Sequence, residues 1–510
     1  MAGPSAACQR SALERQKKTS VFAHNSRANT ITSIMPFLAK LRALPSSRHR
    51  PTVSRVTATV GLIAGLLVPS IAEARGLIRD AETERLIRDY AAPIFRSAGL
   101  GSQNIKIHIV NDKNFNAFVV DGQNMFFNAG TLMISKTPNQ VIGVIAHETG
   151  HITGGHLARL RSQVARMQST ALALQLLGLA AMVGGSQAGV PNAGQIGMGA
   201  MAGGQDAAMR SFMAYRQTEE SSADQAAMTF LNATGQSGRG MLQTFDVLAN
   251  KLRGIQGINP YLMSHPLPQT RISQLRALVE SSPHYDVEDS PELKYRHNLV
   301  RAKLSGFLEK PDAALNRYRQ DETLAGDYAR AIATYRKSGV DAAMPYIDSL
   351  IAAQPNWPYF YEIKGQFLFE SGRGKEAIGP LRQAVEIAPH EALIQIMLSQ
   401  AMLSTEDNRY LDEVIRNLRK ALVQEPQSAM GYRQLAMAYG RKGDLTKSSG
   451  ARRNFLSRAS LASAEAYFYE GRLREAKMMA KRAQEGLPGG TPQWLRAQDI
   501  LDFQMPTRKK

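Results

Sequence analysis

From Asn139 to Ala146 the chain reads NQVIGVIA, almost wholly apolar, and it passes without a break into the polar pentapeptide HETGH, His147 to His151. Opened by Thr137-Pro138-Asn139, such a run predicts a buried helix carrying both histidines into a protected site. Upstream, Ile105 to Val110 (IKIHIV) alternates with the period of a half-buried strand. Ala117 to Val120 and Met125 to Phe127 flank Asp121-Gly122-Gln123-Asn124 as the arms of a hairpin would. A first helix is expected from Gly76 to about Ala92, just before Pro93. A small sheet thus precedes the central helix, and its edge strand is suited to pair with an extended peptide.

After His156 the helical pattern continues to Val183, with an apolar segment from Thr170 to Val183 that is too short to span a bilayer. Gly184 to Asp206 is dense in Gly and Ala and uncharged until its end, which reads as a loop. Three roles suit it: a lid or gate over the cleft, a membrane-touching segment, or a plain connector. Helix is expected again across YRQTEESSADQAAM, Tyr215 to Met228. Polar residues 281–295, with Ser281-Ser282-Pro283 and Ser290-Pro291, predict a junction between two domains.

Beyond the junction lies a repeat. Pro355 and Pro389 are 34 residues apart, the tetratricopeptide (TPR) period, and Tyr361, Gly365, Gly372, Ala377, Leu381 and Ala384 fill the consensus slots between them. Pro426 follows after 37 residues, consistent with an insertion around Ser404 to Arg409. The slots recur at Tyr432, Leu435, Ala436, Tyr439 and Gly443, then at Ala464, Tyr467, Gly471, Ala476, Ala483 and Pro488. Residues 296–500 are therefore read as an α-helical solenoid of at least four repeats with a concave surface for protein, and 501–510 as a basic tail.

Composition changes this picture at one end. The chain has 510 residues and a formal charge of +19, and residues 1–74 hold ten Lys or Arg against two acidic residues. Within them the apolar run Val56 to Val68 follows basic residues and precedes Ala72-Glu73-Ala74, a signal-peptidase pattern with cleavage expected after Ala74. Met35 would start a leader of conventional length, so the true start is either Met1 or Met35. The lone cysteine, Cys8, falls in this leader, which removes disulfides, thiol nucleophiles and thiolate ligands from the mature chain. The remaining positive charge shows no nucleic-acid reading motif, and it is read as a bias toward anionic membrane surfaces or acidic partners.

Two imidazoles four residues apart share a helix face and can grip one zinc ion, with Glu148 between them placed to take a proton from water at the metal. A catalytic zinc needs a third protein ligand. His156 lies half a turn out of phase on a continuing helix, and Leu157 stands where the metzincin pattern requires histidine. Glu220 and Asp224, four apart on one face, serve better: Glu220 as ligand, and Asp224 to hold the second nitrogen of His147. Glu219 is five from Asp224 and points elsewhere, yet it remains the competitor of Glu220. His265, in Ser264-His265-Pro266, is read as a fourth ligand or gate, a donor to a substrate carbonyl, or a residue that merely fixes its loop.

Together these motifs resemble the BepA-type periplasmic zinc metallopeptidases, relatives of HtpX. The resemblance rests on HETGHITGGH (147–156), NAFVVDGQNMFFNAGTL (116–132), ESSAD (220–224), HPLPQTR (265–271) and the repeats, and it covers nearly all of 76–500. One departure is that Arg216 stands four residues before Glu220, where the family has three. The resemblance implies a mostly α fold, with a gluzincin-like α+β metallopeptidase domain at 75–280 followed by the TPR solenoid. It implies one zinc held by His147, His151 and Glu220, with Glu148 as base and Asp224 behind. It further implies periplasmic proteolysis of misfolded or stalled outer-membrane proteins and help to their assembly machinery. The competing expectation is a TPR adaptor or chaperone with a structural or regulatory zinc.

Overall fold

A computed structural model describes residues 76–101, 105–187, 192–252 and 260–505. The expected leader, its cleavage point, Cys8 and the last five residues of the basic tail lie outside them. The chain is mostly helical with one small sheet. Strand β1 (Leu77–Ile78) leads into helix α1 (Ala81–Ser97), capped by the Asp80 carboxylate, which accepts from the Thr83 N–H. This differs from the expected helix, for α1 starts later and runs through Pro93. A proline costs a helix one backbone hydrogen bond, but Leu86, Ile87, Tyr90, Ile94 and Phe95 bury one continuous face, and that outweighs the loss.

Strands β2 (Lys106–Val110), β3 (Ala117–Val120) and β4 (Asn124–Asn128) complete a sheet of order β1-β2-β4-β3. β2 and β4 run parallel, and the other pairs are antiparallel. The β3–β4 hairpin is the expected one, with Asp121 and Gly122 at φ 59° and 69°. Among the described residues strand β3 is an edge, with one row of its backbone groups facing no neighbouring strand.

After α2 (Ala129–Ile134) comes the central helix α3 (Pro138–Thr153), buried at every position from Gln140 to Gly150. Pro138 sits in its first turn, and the Gln140 side chain accepts from the N–H groups of Lys136 and Thr137. Helices α4 (His156–Gln187) and α5 (Ala193–Ala233) then pack along one another as a long hairpin. The loop expected from Gly184 to Asp206 is therefore largely helix. Ala, Gln and Met between its glycines are strong helix formers, and packing against α4 supplies what the glycines lose. Helices α6 (Arg239–Leu252), α7 (Pro260–Ser264), α8 (Gln269–Glu280) and α9 (Pro291–Leu308) close this part of the molecule. Its core joins Met125 and Phe127 of β4, Val141 and Ile145 of α3, Leu231 of α5 and Leu275 of α8.

From Pro311–Arg317 to Pro492–Asp502 the chain is a succession of helices stacked into a solenoid. Pro355, Pro389, Pro426 and Pro488 each follow shortly after a helix that ends at Ala353, Ile387, Gln424 or Gln484. Ala377, Ala384, Ala476 and Ala483 are fully buried between these helices, where their small side chains let the backbones approach. The expected junction falls on a short turn and the start of α9. That helix serves two cores: Val300 and Leu304 pack with the sheet and α3, while Leu299 and Ala302 pack with the solenoid. Beside them Lys303, 2% exposed, lies 2.5 Å from Asp80, 3.3 Å from Glu82 and 3.7 Å from Glu362. Tyr328 and Trp357 of the solenoid also donate to Glu82, at 3.0 and 3.1 Å. Among the described residues no helix is long and apolar enough to cross a membrane.

Candidate metal centre

Helix α3 delivers His147 and His151 to the same side, and α5 crosses it closely enough to bring Glu220 opposite them. Gly150 permits the crossing: a Cβ there would come within 2.7 Å of the Ala223 carbonyl oxygen. The His147 and His151 Nε2 atoms are 3.1 Å apart, and Glu220 carboxylate oxygens lie 3.4 Å from the first and 3.6 Å from the second. His265, just past α7, adds its Nδ1 at 3.0 Å from Glu220 and 3.3 Å from His147 Nε2. One donor atom from each of these four residues falls within 4.8 Å of the others, an array that could hold a metal ion. Glu148 faces the same space: its Oε1 is buried, has no hydrogen-bond partner among the described residues, and lies 3.5 Å from His265 Nε2. Converging lone pairs around an unsatisfied carboxylate oxygen suit a cation and its water.

Burial drives most of the electrostatics. It pushes the Glu148 carboxyl above its ordinary range, and it holds the His151 imidazole well below, so that ring is neutral with a lone pair to offer. Burial also opposes charge on His147, but hydrogen bonds with Asp224 and Glu220 prevail and raise it to about 9. For Glu220 the burial penalty is overcome by His265 and by hydrogen bonds with His147 and His265, which keep the carboxyl well below the usual range.

Asp224 lies one turn after Glu220, with its Oδ1 2.9 Å from His147 Nδ1. Arg271, on α8 and 2% exposed, was named in the sequence only as part of HPLPQTR, yet it organises this side of the site. It donates to both Asp224 oxygens at 2.7 and 2.9 Å, reaches Glu220 at 2.8 Å, and donates to the Pro266 carbonyl beside His265 at 3.0 Å. No local spacing could reveal a contact made across 47 residues. Tyr261, likewise unmarked in the sequence, stacks on the His265 ring with centroids 4.6 Å apart.

Glu219 and His156 do not join the four converging groups. Instead His156 turns its Nδ1 to His151 Nδ1 at 2.8 Å, and Glu219 lies behind His156. The site opens into a cleft of about 380 Å³ lined by Phe118 and Val119 of the edge strand, Ile152, Leu157, Leu160 and Arg216 among others.

The sequence model for peptidase family M48 matches residues 78–279, the span that contains this cluster. The beta-barrel assembly-enhancing protease of Yersinia pestis is 23% identical over 401 residues, covering 74% of this chain and 79% of its own. That of Escherichia coli K12 is 23% identical over 438 residues, 84% of each chain. A putative beta-barrel assembly-enhancing protease of Vibrio cholerae is 25% identical over 357 residues, 68% of this chain and 70% of its own. A crystal structure of MamA aligns with 31% of this chain and 93% of its own at 21% identity, with a TM-score of 0.22. Residues 78–279 accordingly match the peptidase family M48 domain, the resemblance read from the motifs extends over most of the chain, and the protein is a metalloprotease.

Proposed function

We propose that the protein is an exported zinc endopeptidase in which His147, His151 and Glu220 hold one zinc, Glu148 is the catalytic base and Asp224 orients His147. The convergence of two Nε2 atoms and a carboxylate beside the unsatisfied Glu148 oxygen carries this reading. Zinc, when bound, supplies a positive charge that polarises a peptide carbonyl and makes water acidic near neutral pH. Glu148, whose proton affinity burial has raised, takes a proton from that water and passes it to the departing amine. Free backbone groups of β3 hold the substrate as an added antiparallel strand, with its side chains against Phe118, Ile152 and Leu157. His265 acts as a gate: with its Nδ1 at Glu220 it fills the position that substrate and water require, and it must swing away for turnover.

In this reading residues 75–280 cut and residues 296–500 recruit. The relatives' name, a protease that enhances beta-barrel assembly, supports substrates and partners among barrel-forming proteins and the machinery that assembles them. The periplasmic location, reached after cleavage at Ala74, rests on the basic, apolar and Ala72-Glu73-Ala74 pattern of the leader alone. Peripheral membrane contact is supported by Leu172, Leu176, Leu179 and Val183, exposed along one face of α4, in a stretch without charge between Arg166 and Asp206. The test is digestion of an unfolded protein by Glu148→Gln, whose metal content should equal that of the unmodified chain while cleavage disappears. Undiminished cleavage would overturn the assignment.

A further inference from the structure

The two histidines of HETGH each have a second ring nitrogen turned away from the metal cluster. Behind His147 that nitrogen meets Asp224, and Arg271 grips Asp224 with two hydrogen bonds. The arrangement behind His151 has the same logic with different parts. His151 Nδ1 meets His156 Nδ1 at 2.8 Å, His156 Nε2 lies 3.3 Å from Glu219 Oε2, and Arg159 donates to both Glu219 oxygens at 2.9 and 3.2 Å. We propose that His156 and Glu219 are positioning residues that fix the tautomer and orientation of His151, with Arg159 as their anchor. This rests on the reading that His147, His151 and Glu220 hold the metal.

Proton bookkeeping along the chain of groups leaves one arrangement. To offer Nε2 to a cation, neutral His151 must carry its proton on Nδ1. That N–H donates to His156 Nδ1, which has to present a lone pair, so the His156 proton sits on Nε2. There it faces Glu219, whose carboxylate the Arg159 fork holds in place. The His151 tautomer is thereby set by the hydrogen bond to His156, and Glu219, 3.3 Å from His156 Nε2, favours the proton on that nitrogen by its charge.

The backbone is shaped for this contact. On an uninterrupted helix His156 would lie half a turn away from His147, but α3 ends at Thr153 and the chain changes direction at Gly155 before α4 begins. Gly155 takes φ 65°, and a Cβ on Gly154 would collide with His156 Nε2, so the ring occupies space that only glycine leaves free. His156 is 4% exposed, which excludes a solvated surface histidine. The adjacent glutamates of α5 divide the work, Glu220 facing the cluster and Glu219 backing His156.

The full chain should be compared with His156→Leu, His156→Asn, Glu219→Gln and the double variant His156→Leu/Glu219→Gln. Zn2+ affinity is read by chelator competition, Co2+ binding by its visible spectrum, and folding of the metal-free protein by circular dichroism. His156→Leu should weaken zinc by about 10- to 100-fold, the range typical for partners of metal ligands, and alter the Co2+ spectrum. His156→Asn, whose amide oxygen accepts from His151 Nδ1–H, should restore most of the affinity. The double variant should bind no worse than His156→Leu, because the two residues act in series. If His156→Leu fails to fold, the contrast between a weakened Glu219→Gln and a near-normal His156→Asn carries the test. Unchanged zinc affinity and Co2+ spectrum in folded His156→Leu, or in Glu219→Gln where only the conservative variants fold, would overturn the proposal and leave the metal site standing. An unmodified chain that takes up no zinc would overturn both.

Discussion

His297 makes the protein sensitive to acid at a site remote from the metal cluster. It is fully buried on α9, its Nε2 donates to the Ser135 carbonyl at 2.9 Å, and its Nδ1 accepts from the Tyr90 hydroxyl at 3.0 Å. Burial is the main reason its pKa falls from 6.5 to about 4, with Arg301 adding repulsion and Ser135 opposing it. An unfolded histidine therefore binds a proton at higher pH than the folded one. The stabilisation is complete above about pH 6.5 and is lost as pH falls toward 4. Each tenfold change in proton affinity is worth roughly 1.4 kcal/mol, so the loss amounts to about 3 kcal/mol. Isothermal denaturant unfolding, followed by circular dichroism at pH 7, 6, 5 and 4, should be compared between the unmodified chain and His297→Gln. The variant is weaker at pH 7 because packing is lost, but its deficit should shrink by about 3 kcal/mol on going to pH 4. Deficits that stay equal across this range would refute the reasoning.

Substitutions at two further positions test contacts made across long stretches of sequence. Arg271→Met leaves Glu220 and Asp224 buried without their cation and should cost about 3 to 5 kcal/mol in the metal-free protein. Arg271→Lys should recover only part, since an ammonium cannot form the fork, and added Zn2+ should narrow the gap; equal melting temperatures for all three would contradict the hub described for Arg271. Lys303→Met removes the cation shared by Asp80, Glu82 and Glu362 and should cost a similar amount, about 3 to 5 kcal/mol. Limited proteolysis should then cut between α9 and the solenoid faster than in the unmodified chain.

What the sequence revealed was governed by period. Glu220 and Asp224 stand out because four residues make about one helical turn, and the solenoid stands out because the slots between Pro355 and Pro389 recur in later units. Contacts with no period stayed hidden. Arg271 meets Asp224 across 47 residues, and His156 reaches His151 across a helix break at Gly155, whose positive φ no spacing rule reveals. Composition misled at Gly184 to Asp206, where glycine frequency suggested a loop but the continuity of α5 with the Glu220 segment produced helix. Pro93 misled for a related reason: local cost is visible in the sequence, whereas the buried face that offsets it is not.

Helix α9 faces two cores at once, and this ties the firmness of the part that holds the metal cluster to the presence of the solenoid. Until the solenoid has been made, Leu299 and Ala302 have no partners, and Lys303 lacks Glu362 from its cluster. The wall against which α1 and the metal-bearing helix settle is therefore the last part of the enzyme to become firm. A copy truncated before the solenoid should keep the metal-site residues but lose part of the packing behind them, so its residues 76–308 are expected to unfold at lower denaturant than in the full chain.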